Sequence, residues 1–221
     1  MPNVLVLSFE GFSFSSRQLY EQLLPKLLSR AVVHESQSFQ DASSYITSGW
    51  PSIILVTDPV ITFEEKNNLE LLQAVADYTK QGCTTILMGL FAAAVEYPRL
   101  DTIFREYFDL RWRAGEYTRH DIHLLTLEES MIRSQSLAHS FRAKALFLSR
   151  VPAAQMVYVV SMGVAMSAYG AFARVGLGKL GYVGDVNFTE EPERLILAMC
   201  HLDRPEDDYA DPELIEQRPM D

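Results

Sequence analysis

Three short runs of apolar and β-branched residues punctuate the first ninety or so positions: Asn3 to Phe9 (NVLVLSF), Ser52 to Thr57 (SIILVT) and Thr84 to Gly89 (TTILMG). None of them alternates with polar residues. A strand without alternation has both faces covered, which is the situation of a parallel sheet with helices on each side. Helical segments lie between the runs. Ser15-Ser16 caps a helix to about Ser29, with Leu19, Leu23, Leu24, Leu27 and Leu28 on one face. Ala31 to Glu35 is a short second strand, and Phe63 to Lys80 is a helix stopped at Gln81-Gly82. Strand and helix alternate throughout, which predicts an α/β architecture.

Beyond Gly89 the pattern loosens. Leu100 to Phe108 reads as a helix, and Thr118 to Leu125, Ala143 to Val151 and Met156 to Val160 as strands. Phe172 to Val175 and Leu180 to Val183 flank Gly176-Leu177-Gly178-Lys179, a β-hairpin signal. Glu190 to His201 closes the chain as a helix with Leu195, Ile196 and Met199 inward. The expectation is a flavodoxin-like three-layer sandwich with a mostly parallel central sheet and an extra β-hairpin near the C-terminus.

Composition narrows the function. The 221 residues carry 19 Lys+Arg against 29 Asp+Glu, a net charge of −10. A nonspecific nucleic-acid binder normally carries the opposite sign, so no nucleic-acid partner is expected. Asp203 to Asp221 holds eight acids and two bases and so contributes −6 of that charge. The expected organisation is one domain over residues 1–202 and an acidic C-terminal tail over 203–221, solvated or partner-binding. Cys83 and Cys200 are too few for a disulfide framework. The N-terminus lacks the basic and apolar regions of a signal peptide, and the longest apolar candidate, Met156 to Ala173, is interrupted by Gly163 and Gly170. A cytoplasmic protein without membrane association is expected. No metal or nucleotide signature stands out, so no cofactor is expected.

The order of elements through the fourth strand resembles the class I glutamine amidotransferase-like superfamily. The segment from Phe172 to Asn187 (FARVGLGKLGYVGDVN) carries the likeness further. It resembles the "strand, Gly-x-Gly-(Lys/Arg), strand, Gly-Asp" ending of the trehalose-utilisation-protein-like branch and of related fungal amidotransferase-like proteins. The resemblance covers residues 3 to 202. It implies a nucleophilic Cys in a sharp turn after a central strand, where a helix N-terminus lowers the thiol pKa and donates to an oxyanion. In this chain that turn reads Gly89-Leu90-Phe91-Ala92-Ala93, and the nucleophile position falls on Leu90 or Phe91. Cys83 precedes the strand instead. The His-x-Glu pair of a glutaminase is also missing, and Gly184-Asp185-Val186-Asn187 stands in its place. Glutamine hydrolysis through a thioester is not expected.

Other chemistry remains available beyond the carboxyl ends of the strands, where ligands gather in α/β sheets. Glu10 follows the first strand, and desolvation there would suit it to acid–base work; it also reads as a helix-entry charge. The segment Glu116 to His123 (EYTRHDIH) is the densest titratable stretch. His120 can exchange protons near neutral pH, while Tyr117 or Arg119 can hold a developing oxyanion. In a regular strand His120 and Ile122 face one way and Arg119, Asp121 and His123 the other, so a two-histidine metal site needs a bulge. Asp58, which also reads as a turn residue, joins Leu90, Phe91, Trp112 and Asp185 as candidate substrate contacts. Asp185 doubles as a possible turn cap, and Phe91 and Trp112 as core. The favoured expectation is a cofactor-independent small-molecule enzyme of isomerase or lyase type, with Glu10 and His120 catalytic and the substrate a carbonyl metabolite, as in fungal secondary metabolism. The alternative is a non-catalytic binding or partner subunit of the same fold. A homo-oligomer is left open.

Overall fold

The structure is a computed structural model, and it describes residues 1–9, 20–125, 128–162 and 165–209. In chain order its strands are β1 (Asn3–Leu7), β2 (Val32–Ser36), β3 (Ile53–Val56), β4 (Thr84–Leu87), β5 (Arg113–Leu124), β6 (Ser140–Ser149), β7 (Met156–Met162), β8 (Ala165–Val175) and β9 (Gly178–Val183). The α-helices are α1 (Leu23–Arg30), α2 (Phe39–Thr47), α3 (Lys66–Lys80), α4 (Phe91–Ala94), α5 (Tyr97–Phe108) and α6 (Glu190–Met199). The strands form one sheet in the order β2-β1-β3-β4-β9-β8-β6-β5-β7.

The left part of that order is parallel. β1 pairs with β2 and β3, β3 with β4, and β4 with β9, all in parallel. Its inner strands β1, β3 and β4 bury both faces. Leu5 and Leu7 of β1 point into one core layer with Ile54, Val56 and Leu87, while Val4 and Val6 point into the other with Ile53, Leu55 and Ile86. Helices α2, α3 and α5 cover the first layer through Ile46, Leu72 and Phe104, and α1 and α6 cover the second through Leu27 and Leu195. Each fully buried aliphatic side chain contributes about 1.5–3 kcal/mol from apolar area removed from water.

The right part corrects the expected fold. β8 is antiparallel to β9, β6 to β8 and β5 to β6, and β7 pairs antiparallel with both β5 and β8. Strands β8, β6, β5 and β7 therefore close into a four-stranded barrel, and most strand pairings among the described residues are antiparallel. The protein is not a parallel flavodoxin-like sandwich. The reason is connectivity: no α-helix intervenes between β5 and β9 among the described residues. A parallel neighbour requires a long crossover, normally a helix, so strands joined without one turn back on themselves. The turn at Gly176-Leu177 between β8 and β9 is present, as a joint between the two parts of the sheet.

The chain after α6 is clamped to the body as far as Tyr209. Arg30 donates to the Leu202 carbonyl (2.9 Å) and pairs with Asp207, which also meets Lys26 at 3.2 Å. Arg133 holds Asp203 at 3.0 Å. Burial works against the Asp207 charge, but hydrogen bonds from Arg30, the Arg204 amide and Lys26 keep its carboxyl well below the usual range. Residues 210–221 of the acidic tail lie outside the described residues. Among the described residues no helix is long and apolar enough to cross a membrane.

Candidate functional site

The carboxyl ends of β1, β3, β4 and β9 converge, and the turns that follow them fix a group of polar side chains. After β3, Asp58 is buried. Its Oδ1 accepts from the Val60 amide (3.0 Å) and its Oδ2 from the Phe9 amide (2.6 Å). Asp58 thus ties the exit of β1 to that of β3. Thr57 donates to the Leu7 carbonyl (2.9 Å) beside Ser8. After β4 the chain turns sharply at Gly89, whose φ is +67° and whose Cα approaches so closely that an added Cβ would meet the Thr57 carbonyl at 3.2 Å. Only glycine adopts that backbone without strain.

The residue after that turn, Leu90, is the N-cap of α4 and is half-buried; Phe91 is fully buried in the core. Cys83 lies at the other end of β4, and burial pushes its thiol up to about 12. Burial also raises the Cys200 thiol. Neither supplies a thiolate at neutral pH.

After β9 the arrangement differs. Asp185 is 1% exposed. Its Oδ1 accepts from the Asn187 amide (3.2 Å) and its Oδ2 from the Phe188 amide (2.7 Å). Burial is the larger influence and those amides only partly offset it, so its carboxyl is pushed up to about 6. Around it stand Tyr169, Tyr20 and Glu193. The register Gly170↔Val183 sets Tyr169 level with Gly184, whose amide donates to the Tyr169 carbonyl at 2.9 Å. Burial, then the Asp185 charge, holds the hydroxyls of Tyr169 and Tyr20 well above 10.0. The Tyr20 ring meets Phe188 edge-on at 5.3 Å. Glu193, in the first turn of α6, accepts from the Gln22 amide at 3.0 Å through Oε1, and burial raises its carboxyl. The Tyr20 and Tyr169 hydroxyls and Glu193 Oε2 are buried without a hydrogen bond of ordinary geometry among the described residues. The Tyr169 hydroxyl nonetheless faces the Asp185 carboxylate, and the Tyr20 hydroxyl faces the Gly89 backbone. A cleft of about 150 Å³ lined by Gln22, Phe188 and Glu193 opens beside them.

The other expected site residues are dispersed. Glu10 lies outside the described residues. His120 is half-buried, edge-on to Phe147 at 5.9 Å, and Phe147 lies 6.4 Å from the Tyr169 ring. One aromatic ring thus separates His120 from the Asp185 cluster. Tyr117 and Arg119 are exposed, and Tyr117 carries Lys144 over its ring at 5.0 Å. Trp112 is packed against Phe104 at 5.3 Å and donates through Nε1 to Gln155 at 2.8 Å. Among the described residues no three His, Cys, Asp or Glu side chains are grouped to hold a metal ion.

Tyr20, Tyr169 and Glu193 were not among the sequence candidates. Their convergence depends on the β8–β9 register and on α1 packing against α6, and nothing local to each residue signals it.

Comparison with known proteins bears on this fold. No protein-family model and no curated protein matches the chain in sequence. Among solved structures, a ThuA-like protein from Bacteroides uniformis aligns with a TM-score of 0.56 at 11% identity, over 90% of each chain. The chain shares its fold with that ThuA-like protein. A ThuA-like protein from Parabacteroides merdae aligns with a TM-score of 0.55 at 11% identity, over 95% of this chain and 92% of that one. A β-galactosidase from Bacillus circulans aligns with a TM-score of 0.55 at 12% identity, over 90% of this chain but 30% of its own length. At such identities the likeness is one of fold.

Proposed function

We propose that the protein is a cofactor-independent enzyme of the ThuA-like branch that has lost the catalytic thiol and moves protons on a small carbonyl metabolite in the cytoplasm. One observation carries this reading: Asp185, a carboxyl pushed up to about 6, is buried beside the hydroxyls of Tyr169 and Tyr20. A group with that pKa is largely ionised at neutral pH yet takes up a proton readily, which is the condition for general acid–base work. In this reading the Asp185 carboxylate removes a proton next to the substrate carbonyl. The electron pair of the broken C–H bond moves into the enolate, whose oxygen accepts from a tyrosine hydroxyl, Tyr20 or Tyr169. The protonated Asp185 then returns its proton to the same carbon, or to another, which gives isomerisation, or a β-leaving group departs, which gives elimination. The Gly89-Leu90-Phe91 turn fits the same reading, because it leaves no nucleophile for acyl transfer.

The test is solvent-deuterium incorporation, followed by NMR, across a panel of keto acids, hydroxy ketones and ketose sugars in D2O. The expected result is exchange at one carbon of one compound class by the wild type. A loss of roughly a hundredfold or more in Asp185→Asn would match the removal of an acid–base group. Equal exchange in wild type and Asp185→Asn would overturn the assignment.

A second reading has one observation in its favour. The fold accounts for 30% of a β-galactosidase chain, so it also occurs as one part of a larger protein. A non-catalytic partner subunit would give no exchange with any compound and a stable complex with a second chain.

A further inference from the structure

A second, larger cleft lies apart from the Asp185 cluster and uses none of its residues. It measures about 700 Å³ and opens between the end of α5 and the adjoining ends of β5 and β6. Four arginines line it: Arg105, Arg111, Arg113 and Arg150. Their meeting follows from the topology. Arg113 is registered against Ser149, so the chain entering β5 and the chain leaving β6 lie side by side. Asp101 and Arg105 are spaced by four along α5 and share one helix face, and Asp109 ends the helix as its left-handed C-cap.

The charges in this cleft are not balanced. Arg113 Nε lies 4.0 Å from Asp101, whose carboxylate also accepts from the Ala114 amide at 2.7 Å. Arg105 pairs with Glu106 at 2.9 Å. Arg111 and Arg150 are exposed and have no ion-pair partner among the described residues. Four arginines face only two carboxylates in the lining, Asp101 and Asp109, so the cleft carries net positive charge in a chain of net charge −10. Arg150 and Asp109 also hold φ values of 56° and 55°, a region that residues with a Cβ rarely occupy and that recurs at ligand sites. Between the arginines the floor is apolar, formed by the buried Leu110, Trp112 and Val151.

We propose that this cleft binds an organic phosphate, a small molecule whose phosphate dianion sits between Arg111 and Arg150 while its apolar part lies on Leu110 and Val151. Two planar guanidinium forks match the charge and geometry of a phosphate dianion. The volume is that of a small-molecule site, and the apolar floor is what such sites offer beside a few polar anchors. A long polyanion would be opposed by the acidic body.

The experiment is isothermal titration of the full chain at low ionic strength with inorganic phosphate, phenyl phosphate and a single-stranded oligonucleotide. Phenyl phosphate should bind saturably and roughly tenfold tighter than inorganic phosphate, because only it covers the apolar floor. The Arg111→Ala/Arg150→Ala double variant should weaken it by roughly tenfold or more. Arg111→Lys/Arg150→Lys, which keeps charge and loses the forks, should fall between. Arg142→Ala, an exposed arginine of β6 away from the cleft, should leave binding within about twofold. Both target arginines are exposed, and unchanged thermal unfolding of each variant shows that the fold is intact. Equal affinity for inorganic and phenyl phosphate, tighter binding of the oligonucleotide, binding indifferent to the arginine variants, or no saturable heat would each overturn the proposal.

Discussion

The two parts of the sheet treat their strands differently. In β3 every residue from Ile53 to Val56 is buried, whereas in β5, over 12 residues, only Ile122 is buried. The parallel strands are short, four to six residues including β9, and those inside the edge strand β2 are sealed by helices on both faces. The barrel strands β5, β6 and β8 are 12, 10 and 11 residues long. The parallel part gains its stability from apolar burial on two sides. The barrel closes its hydrogen-bond ladder on itself and is covered unevenly, with β8 mostly buried and β5 mostly open. The two meet at β9 and the turn after it, where Asp185 bridges to Ala145 of β6, and the candidate site lies at that seam.

The seam is tightest at Gly184. A Cβ there would stand 2.3 Å from the Leu146 carbonyl and 3.2 Å from that of Tyr169, both backbone atoms that cannot swing away. Gly184→Ala is therefore expected to force the barrel off the parallel part and cost more than about 4 kcal/mol, in the range of severe core substitutions. Urea unfolding followed by circular dichroism and tryptophan fluorescence measures it. A variant with wild-type stability would mean that the two parts are not held at this distance.

A smaller effect, with its own sign, is expected from Asp185. Its folded pKa, about 6, stands above the ordinary 3.8. The folded state therefore holds a proton that the unfolded state has released between about pH 4 and pH 6. The stability that Asp185 contributes is complete below pH 4 and is lost as pH rises through 6. Asp185→Asn lacks that loss, so its stability relative to wild type should rise across this window by about 2–3 kcal/mol. Urea midpoints at pH 4.5, 5.5 and 7.5 read the difference. Parallel curves would show that the carboxyl at the seam is not desolvated. A more stable Asn variant that has lost deuterium exchange would place function and stability in opposition at one residue.

The same comparison explains what was legible in the sequence. Runs such as SIILVT declare a doubly covered strand by themselves, and β1, β3 and β4 fall where those runs predict. The strand around His120 was also legible, because alternation between Arg119 and His120 survives in β5 and puts them on opposite faces. The partners of these later strands were not. Barrel closure rests on β7 pairing with both β5 and β8, a matter of register across the chain rather than of any local pattern. Helix α2 escaped notice because its apolar side is thin: only Ala42 and Ile46 are buried in it. The site was half legible for the same reason. Asp185 follows a Gly in a recognisable strand ending, but Tyr169 and Tyr20 reach it only through the β8–β9 register and the packing of α1.

The weakest expected effect tests whether the two parts unfold as one. Tyr182 belongs to β9, and its hydroxyl donates to the Leu146 carbonyl of β6 at 2.8 Å, fully buried. It is one polar tie across the seam beside the backbone ones, in which the Leu146 amide donates to the Gly184 carbonyl at 3.0 Å and Asp185 bridges to Ala145. Tyr182→Phe keeps the ring, and with it the edge contact to Phe104 at 6.2 Å, and removes only the donor. The loss should be about 1 kcal/mol, the net worth of one buried hydrogen bond. It should appear as a shift of one cooperative transition, with fluorescence and circular dichroism moving together. If the probes separate instead, with Trp50, packed on Tyr45 in the parallel part, unfolding apart from Trp112 at the entry to the barrel, then this hydroxyl is what couples them. A coincident shift would mean that the backbone contact at Gly184 already does so, and that the tyrosine only fixes the register in which Asp185 meets its neighbours.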